Sequence, residues 1–241
     1  MARQFEVRRE VELPATPEQV WAAVATGAGI ASWLFPVGEG QPTRVGEEWG
    51  GHVVQAFDPP HRYVVRAEGE NGFFNALEYV IEAREGGTAV LRYVHSGIFT
   101  DDWDDQFDGV SQHTDFYLHS LAQYLRYFDG RAVTYVAAEG PEASKSPGAF
   151  DEVRRALGLS ADSTEGQTVR VAVPGTDAVE GVVDYARPNF IGVRTADGLY
   201  RFYGRNAFGM PVGLGHHLFA PGADQQKTQL AWTNWLDGLF A

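Results

Sequence analysis

Three clusters have the residue types and the density that chemistry needs. The run Asp101-Asp102-Trp103-Asp104-Asp105-Gln106-Phe107-Asp108 holds enough carboxylates for a divalent cation. It lacks the order of a calcium loop, because Gln106 and Phe107 stand where an acid and a glycine belong. Acids also gather in the first turns of helices, where unpaired N–H groups and the dipole favour negative charge, so the run reads as a helix start. His216 and His217 are adjacent, and neighbouring side chains on a strand leave opposite faces, so the two imidazoles do not converge on one ion. His95-Ser96 pairs a base with a hydroxyl at a strand end, but no serine stands in Gly-x-Ser-x-Gly and no third group is in evidence to orient the pair. The chain has no cysteine, which removes thiol nucleophiles, disulfides and cysteine metal sites. Gly27-Ala28-Gly29 and Gly213-Leu214-Gly215 lack the strand–helix setting and later glycine of a dinucleotide loop. No metal and no cofactor is expected.

The elements that would position any site are easier to read. Phe5–Leu13 alternates like a strand. Thr16 is an N-cap, Pro17 fills the first helical position and Gln19 completes a capping box before Val20, Trp21 and Val24, so residues 17–25 form a short helix. Two-residue alternation then marks strands over Arg44–Trp49, Gly51–Phe57, His61–Glu68, Asn75–Ala83 and Thr88–His95, joined by connections short enough to require antiparallel neighbours. Leu77, Tyr79 and Ile81 share a face with Ala89, Leu91, Tyr93 and His95. A long helix starts near Asp101–Trp103, and Val110, Thr114, Tyr117, Leu121, Tyr124 and Phe128 make an apolar stripe widened by Leu118 and Leu125. Gly130 ends it.

Composition bounds the function. The 241 residues can bury a sizeable core. Residues 1–140 hold 21 acids against 10 bases, a formal −11, and residues 141–241 hold 11 against 9, a formal −2. An acidic first domain repels a phosphate backbone and an anionic bilayer, so neither nucleic acid nor membrane is an expected partner. Arg3 and Glu6 stand where a signal peptide would be apolar, and no run reaches the ~18 apolar residues of a membrane span, which points to the cytoplasm.

The blocks Thr16-Pro17-Glu18-Gln19-Val20-Trp21, Trp33-Leu34-Phe35-Pro36 and Asp58-Pro59-Pro60-His61-Arg62, in that order, resemble the family named after the C-terminal domain of the activator of Hsp90 ATPase, within the START-like helix-grip (SRPBCC) superfamily. The resemblance covers roughly residues 3–135. It implies an α+β helix-grip fold, a curved antiparallel sheet wrapped on a long C-terminal helix, with a ligand cavity between the two. The polar groups that would border the cavity are Arg66, Tyr79, Tyr93, His95 and Tyr117, with Leu77 and Leu91 in the apolar wall. Each also has a plainer reading: the tyrosines and His95 as core residues with satisfied polar tips, Arg66 and Glu68 as a local ion pair.

Beyond the helix-grip domain, placed at residues 1–138, residues 139–166 are rich in Pro, Ser, Gly and charge and read as a linker with a short helix at Ala149–Leu157. Residues 167–241 carry alternating segments and a closing helix with Leu230, Trp232, Trp235, Leu236, Leu239 and Phe240. That order reads as an appended β-meander plus helix, a smaller α+β unit that could be a second helix-grip repeat lacking its first strand and helices. Its helix has too many large apolar groups to stay free in water, so it docks on the first domain or on a second copy, the latter giving a homodimer through the C-terminal unit.

Two functional classes fit. One is a binding module that captures a small hydrophobic or aromatic molecule. The other is an enzyme of the polyketide cyclase, aromatase or hydrolase kind using the same cavity, with one of the polar groups moving a proton. The scattered acid–base candidates favour binding. The family's name adds chaperone co-activation as a third reading, weakened because the eukaryotic activator has a separate N-terminal domain with no counterpart in this sequence.

Overall fold

The computed structural model describes residues 3–99 and 103–241, so Asp101 and Asp102 of the acidic run lie outside the described residues. The chain forms two compact units that meet between Gly130 and Arg131. In the first, β1 (Arg3–Leu13) leads into α1 (Pro17–Ala25) through the expected capping box. The Thr16 hydroxyl accepts from the Gln19 N–H, and the Gln19 side chain accepts from the Thr16 N–H at 2.8 Å. Thr26 caps the next short helix, α2 (Gly27–Ala31), in the same way.

An antiparallel meander follows: β2 (Glu48–Trp49), β3 (His52–Asp58), β4 (Arg62–Glu68), β5 (Phe74–Arg84) and β6 (Thr88–Phe99). The strand expected over Arg44–Trp49 shrinks to its last two residues. Sheet order is β1-β6-β5-β4-β3-β2, so the first strand closes against the last. The 25-residue helix α3 (Trp103–Tyr127) buries Thr114, Leu118, Leu121, Tyr124 and Leu125. Phe116 and Ser120, outside the anticipated stripe, are buried as well. Of the residues expected in the core, Ile81, Leu91, Leu121 and Leu125 are buried, while Trp21 and Leu77 are half-exposed. Trp21 sits at the margin of α1, with ring contacts to Phe57 and Tyr63 on one side.

The second unit repeats the strand order and the closing helix, with one α-helix after its first strand where the first unit has two. Strand β7 (Thr134–Glu139) precedes α4 (Ala149–Ala156), then come β8 (Thr168–Val171), β9 (Val179–Arg187), β10 (Phe190–Thr195), β11 (Gly198–Tyr203), β12 (Gly213–Leu218) and α5 (Gln225–Leu239). The order β7-β12-β11-β10-β9-β8 is that of the first sheet, strand for strand, and every pairing is antiparallel. Two expectations are corrected. Residues 131–138 are not the end of the first domain: β7 pairs with β12 and is the repeat's own first strand. Residues 139–166 are not a linker, because Ala149, Phe150, Val153, Leu157 and Leu159 pack into the second core. The small residues that suggested a linker serve close packing instead. A Cβ on Gly140 would lie 2.7 Å from the Ser144 hydroxyl, and that buried hydroxyl accepts from the Val212 N–H.

Helix α5 docks on its own sheet through Trp232, Leu236, Trp235 and Phe240. Its apolar face is thereby covered within the unit, the alternative that the sequence reading did not weigh. Leu230 stands apart at 62% exposure. Among the described residues no helix is long and apolar enough to cross a membrane.

Leu121 and Leu236 are the fully buried anchors of α3 and α5. Replacing either with alanine removes core methylenes that the surroundings only partly refill, a loss of roughly 2–4 kcal/mol. Denaturant unfolding of the full chain should show a lowered midpoint for both Leu121→Ala and Leu236→Ala. A midpoint unchanged from the parent would place that leucine outside the core.

Candidate functional site

Register brings the candidate residues of the first unit into rows on the face of the sheet that α3 covers. Arg9, Tyr93, Tyr79, Tyr63 and Phe57 lie opposite one another across β1, β6, β5, β4 and β3. Val7, His95, Leu77, Val65 and Val54 form the next row. Leu91 and Ile81 belong to the row on the other side of the tyrosines. The aromatic row is in continuous contact, with ring centroids 6.0 Å apart for Tyr63–Tyr79 and 5.2 Å for Tyr79–Tyr93. At its end the Arg9 guanidinium donates to Asp115 at 2.5 Å and to the Ser111 hydroxyl at 2.8 Å, tethering α3 to the edge of the sheet.

Between the tyrosine row and α3 lies a small enclosed space of about 30 Å³. Leu77, Tyr79, Tyr93 and Tyr117 line it, four of the seven residues singled out from the sequence. Trp33, Leu34, Thr114 and Leu118 complete the wall. Thr114 and Leu118 belonged to the helix stripe, so their part was legible. That Trp33 and Leu34 close the space was not, because they reach it from a segment without regular structure. Trp33 is fixed there by donating its indole N–H to the Ala23 carbonyl at 2.9 Å.

The other three residues lie elsewhere. Arg66 is on the opposite face of β4, since its inward neighbours are Tyr63 and Val65. It pairs with Glu68 at 2.8 Å and stacks over the Phe74 ring, which corrects its assignment to the cavity and bears out the plainer reading. Leu91 is fully buried in the closed part of the core and does not reach the space. His95 is on the correct face, directly opposite Leu77 in the same row, but does not line the space; its Nε2 lies 2.9 Å from the Asn75 side-chain nitrogen and its ring packs at a steep angle against Phe5. Gly97, opposite Phe5, makes room for that ring, because a Cβ there would lie 2.6 Å from it.

The electrostatics of the row are those of a dry interior. Burial raises the Tyr79 hydroxyl well above its usual range, with Tyr93 and Tyr63 adding to the effect. Burial likewise raises Tyr93, which is hydrogen-bonded to Thr114 and lies near Tyr117. The buried Tyr63 hydroxyl has no hydrogen-bond partner among the described residues. These groups are neutral donors and acceptors at pH 7, suited to orienting a ligand's polar atoms. Burial lowers His95 to about 4, with electrostatic repulsion from nearby His52 contributing. Asn75 donates to Nε2 of the neutral ring, so its proton sits on Nδ1.

An imidazole kept neutral by the fold binds its proton more readily when the chain unfolds. His95 therefore supports stability above pH ~6.5 and loses that contribution as pH falls toward about 4. A His95→Gln variant should lose less stability than the parent over that interval, and the His95 ring should titrate by NMR near 4. A midpoint at the ordinary histidine value would show that the ring is solvated.

Residues 14–126 match the family model described as Activator of Hsp90 ATPase homolog 1-like protein. No curated protein matches the chain significantly. Among solved structures, protein MLL2253 of Mesorhizobium loti is 23% identical, with 53% of this chain and 99% of that one aligned at a TM-score of 0.42. The Aha1 protein of Colwellia psychrerythraea, solved as a dimer in solution, is 18% identical over 52% of this chain and 99% of its own, with a TM-score of 0.42. DynU16, a protein from the dynemicin biosynthetic locus, is 17% identical and aligns over 97% of this chain and 96% of its own, with a TM-score of 0.41. The matched segment runs from the end of β1 to the last turn of α3 and contains every residue that lines the enclosed space. The first unit of this chain is thus similar in sequence to the activator of Hsp90 ATPase homolog 1-like family, and its antiparallel sheet with a long closing helix is the α+β helix-grip arrangement.

Proposed function

We propose that the first unit is a binding module that takes a small, largely apolar or aromatic molecule into the space between the sheet and α3. The observation that carries this reading is the convergence of Leu77, Tyr79, Tyr93 and Tyr117 around one enclosed space with hydroxyl groups as its polar tips. At about 30 Å³ that space has room for about one water, so a ligand enters by displacing part of the wall. The wall offers a part that can move. Residues 32–47 have no helix or strand, and Phe35 is 48% exposed while its ring edge meets Tyr117 at 6.4 Å. Trp33 is anchored by its indole and the Leu34 N–H by the Ile30 carbonyl at 2.8 Å, which leaves the exposed Phe35 side chain as the part that swings.

The cyclase-like or hydrolase-like alternative would need a proton-transfer group near the space. A general base works best with a pKa near the working pH, and His95, held at about 4, is a weak one at pH 7. That observation supports binding over catalysis.

Titration with flavonoids, fatty acids and aromatic polyketides, followed by calorimetry, tests the reading. Filling the space with Leu77→Trp should weaken binding tenfold or more, and Tyr117→Phe should weaken it about threefold if the hydroxyl meets the ligand. Affinity unchanged in both variants would sink the assignment. Turnover abolished by His95→Ala with affinity retained would replace it with the catalytic reading.

A further inference from the structure

The second unit holds a recess of its own, of about 420 Å³, between the first half of α5 and the end of the sheet where β10 turns into β11. That volume falls within the range of small-molecule sites, whereas the enclosed space of the first unit does not. Trp232, Tyr200, Leu218, Val171 and Val179 supply an apolar and aromatic surface. Trp232 is held rigidly, buried against His216 at 4.4 Å between ring centroids.

The polar side of the recess has one sign. Asp177, Glu180 and Asp197 are lining residues, and no lysine, arginine or histidine is among them. Asp197 is tied to Arg131 at 2.5 Å. Asp177 makes no ion pair among the described residues, whereas Glu180, opposite Arg170 and next to the core-facing Val179, turns its side chain to the other face of β9. The Thr176 and Thr195 hydroxyls are used on backbone carbonyls, of Val173 and Gly198. Burial and the Asp197 charge raise the Tyr200 hydroxyl to about 12, so it remains a neutral group within the recess.

We propose that this recess is a second binding site, distinct from that of the first unit, and that it takes an organic amine. The ammonium group meets the carboxylate of Asp177 at the rim, and the apolar or aromatic body lies against Trp232, Tyr200 and Leu218. Aromatic faces attract cations as carboxylates do, so the two parts of the surface favour the same charge. Anions are disfavoured by the lining and by the formal charge of −13 on the chain.

Calorimetry on the full chain at low salt, with phenethylamine, phenethyl alcohol and phenylacetate as matched probes, decides the matter. Phenethylamine should bind most tightly and phenylacetate least. Asp177→Asn, at an exposed position, should weaken the amine about threefold or more and leave the alcohol within about twofold, whereas Glu180→Gln on the other face of β9 should change neither. Thr228→Trp, which fills the recess, should abolish binding of all three, whereas Leu77→Trp in the first unit should leave them unchanged, so this site and that of the first unit fail independently. Phenylacetate binding as tightly as the amine, an amine affinity insensitive to loss of the Asp177 carboxylate, or no measurable binding of phenethylamine would each overturn the proposal.

Discussion

The register of the first sheet is the constraint on which the rest of that unit depends. Arg9, Tyr93, Tyr79, Tyr63 and Phe57 stand in one row across five strands. A slip of one residue in any strand would turn its member of the row to the outer face. Helix α3 lies where this row lets it lie, with Leu118, Leu121 and Leu125 buried on it and Asp115 drawn to Arg9 at the sheet edge. The dimensions of the enclosed space follow. Three tyrosines side by side fill most of the concavity that a smaller residue at any of those positions would open.

The second unit uses the same strand order and reaches a different interior. Its core against α5 is built from Phe202, His216 and Trp232, with Trp235 beside them. His216 is fully buried and kept neutral, chiefly by burial, with Nδ1 accepting the Arg201 N–H at 3.1 Å and Nε2 without a hydrogen-bond partner among the described residues. His217, the next residue, turns to the other face beside Tyr135, as strand alternation requires. On that face Arg201 and Asp184 form a bidentate ion pair that is almost wholly buried, and such a pair is retained only when its geometry is good. With its aromatic groups drawn into a compact cluster, the second unit leaves its open end free. One topology thus yields a closed space of tyrosine hydroxyls and an open recess edged with carboxylates, and function follows the side chains more than the fold.

Much of this was legible from short-range signals. Thr16, Pro17 and Gln19 mark the start of α1 because a cap is decided within four residues. Leu77, Tyr79, Tyr93 and Tyr117 could be placed on inward faces because strand and helix periods are local properties. Arg66 was misplaced although the same alternation, counted from Tyr63, sends it outward. The adjacency of Gly, Pro and Ser in residues 139–148 suggested a linker, because composition reports flexibility in an isolated chain and not the partner that removes it.

The sequence by itself determined the caps, the alternation of the strands, the apolar stripes of α3 and α5, and the family resemblance of the first unit. Only the tertiary structure decided that β7 belongs to the second sheet, that α5 covers its own unit, and that Leu230 faces water while Trp232 is buried. It also decided the sizes of the two spaces, about 30 Å³ and about 420 Å³. The physical reason is range. Caps and periodicity act over a few residues along the chain, whereas strand pairing between β7 and β12 and the volume left between a sheet and its helix are set by side chains many tens of residues apart.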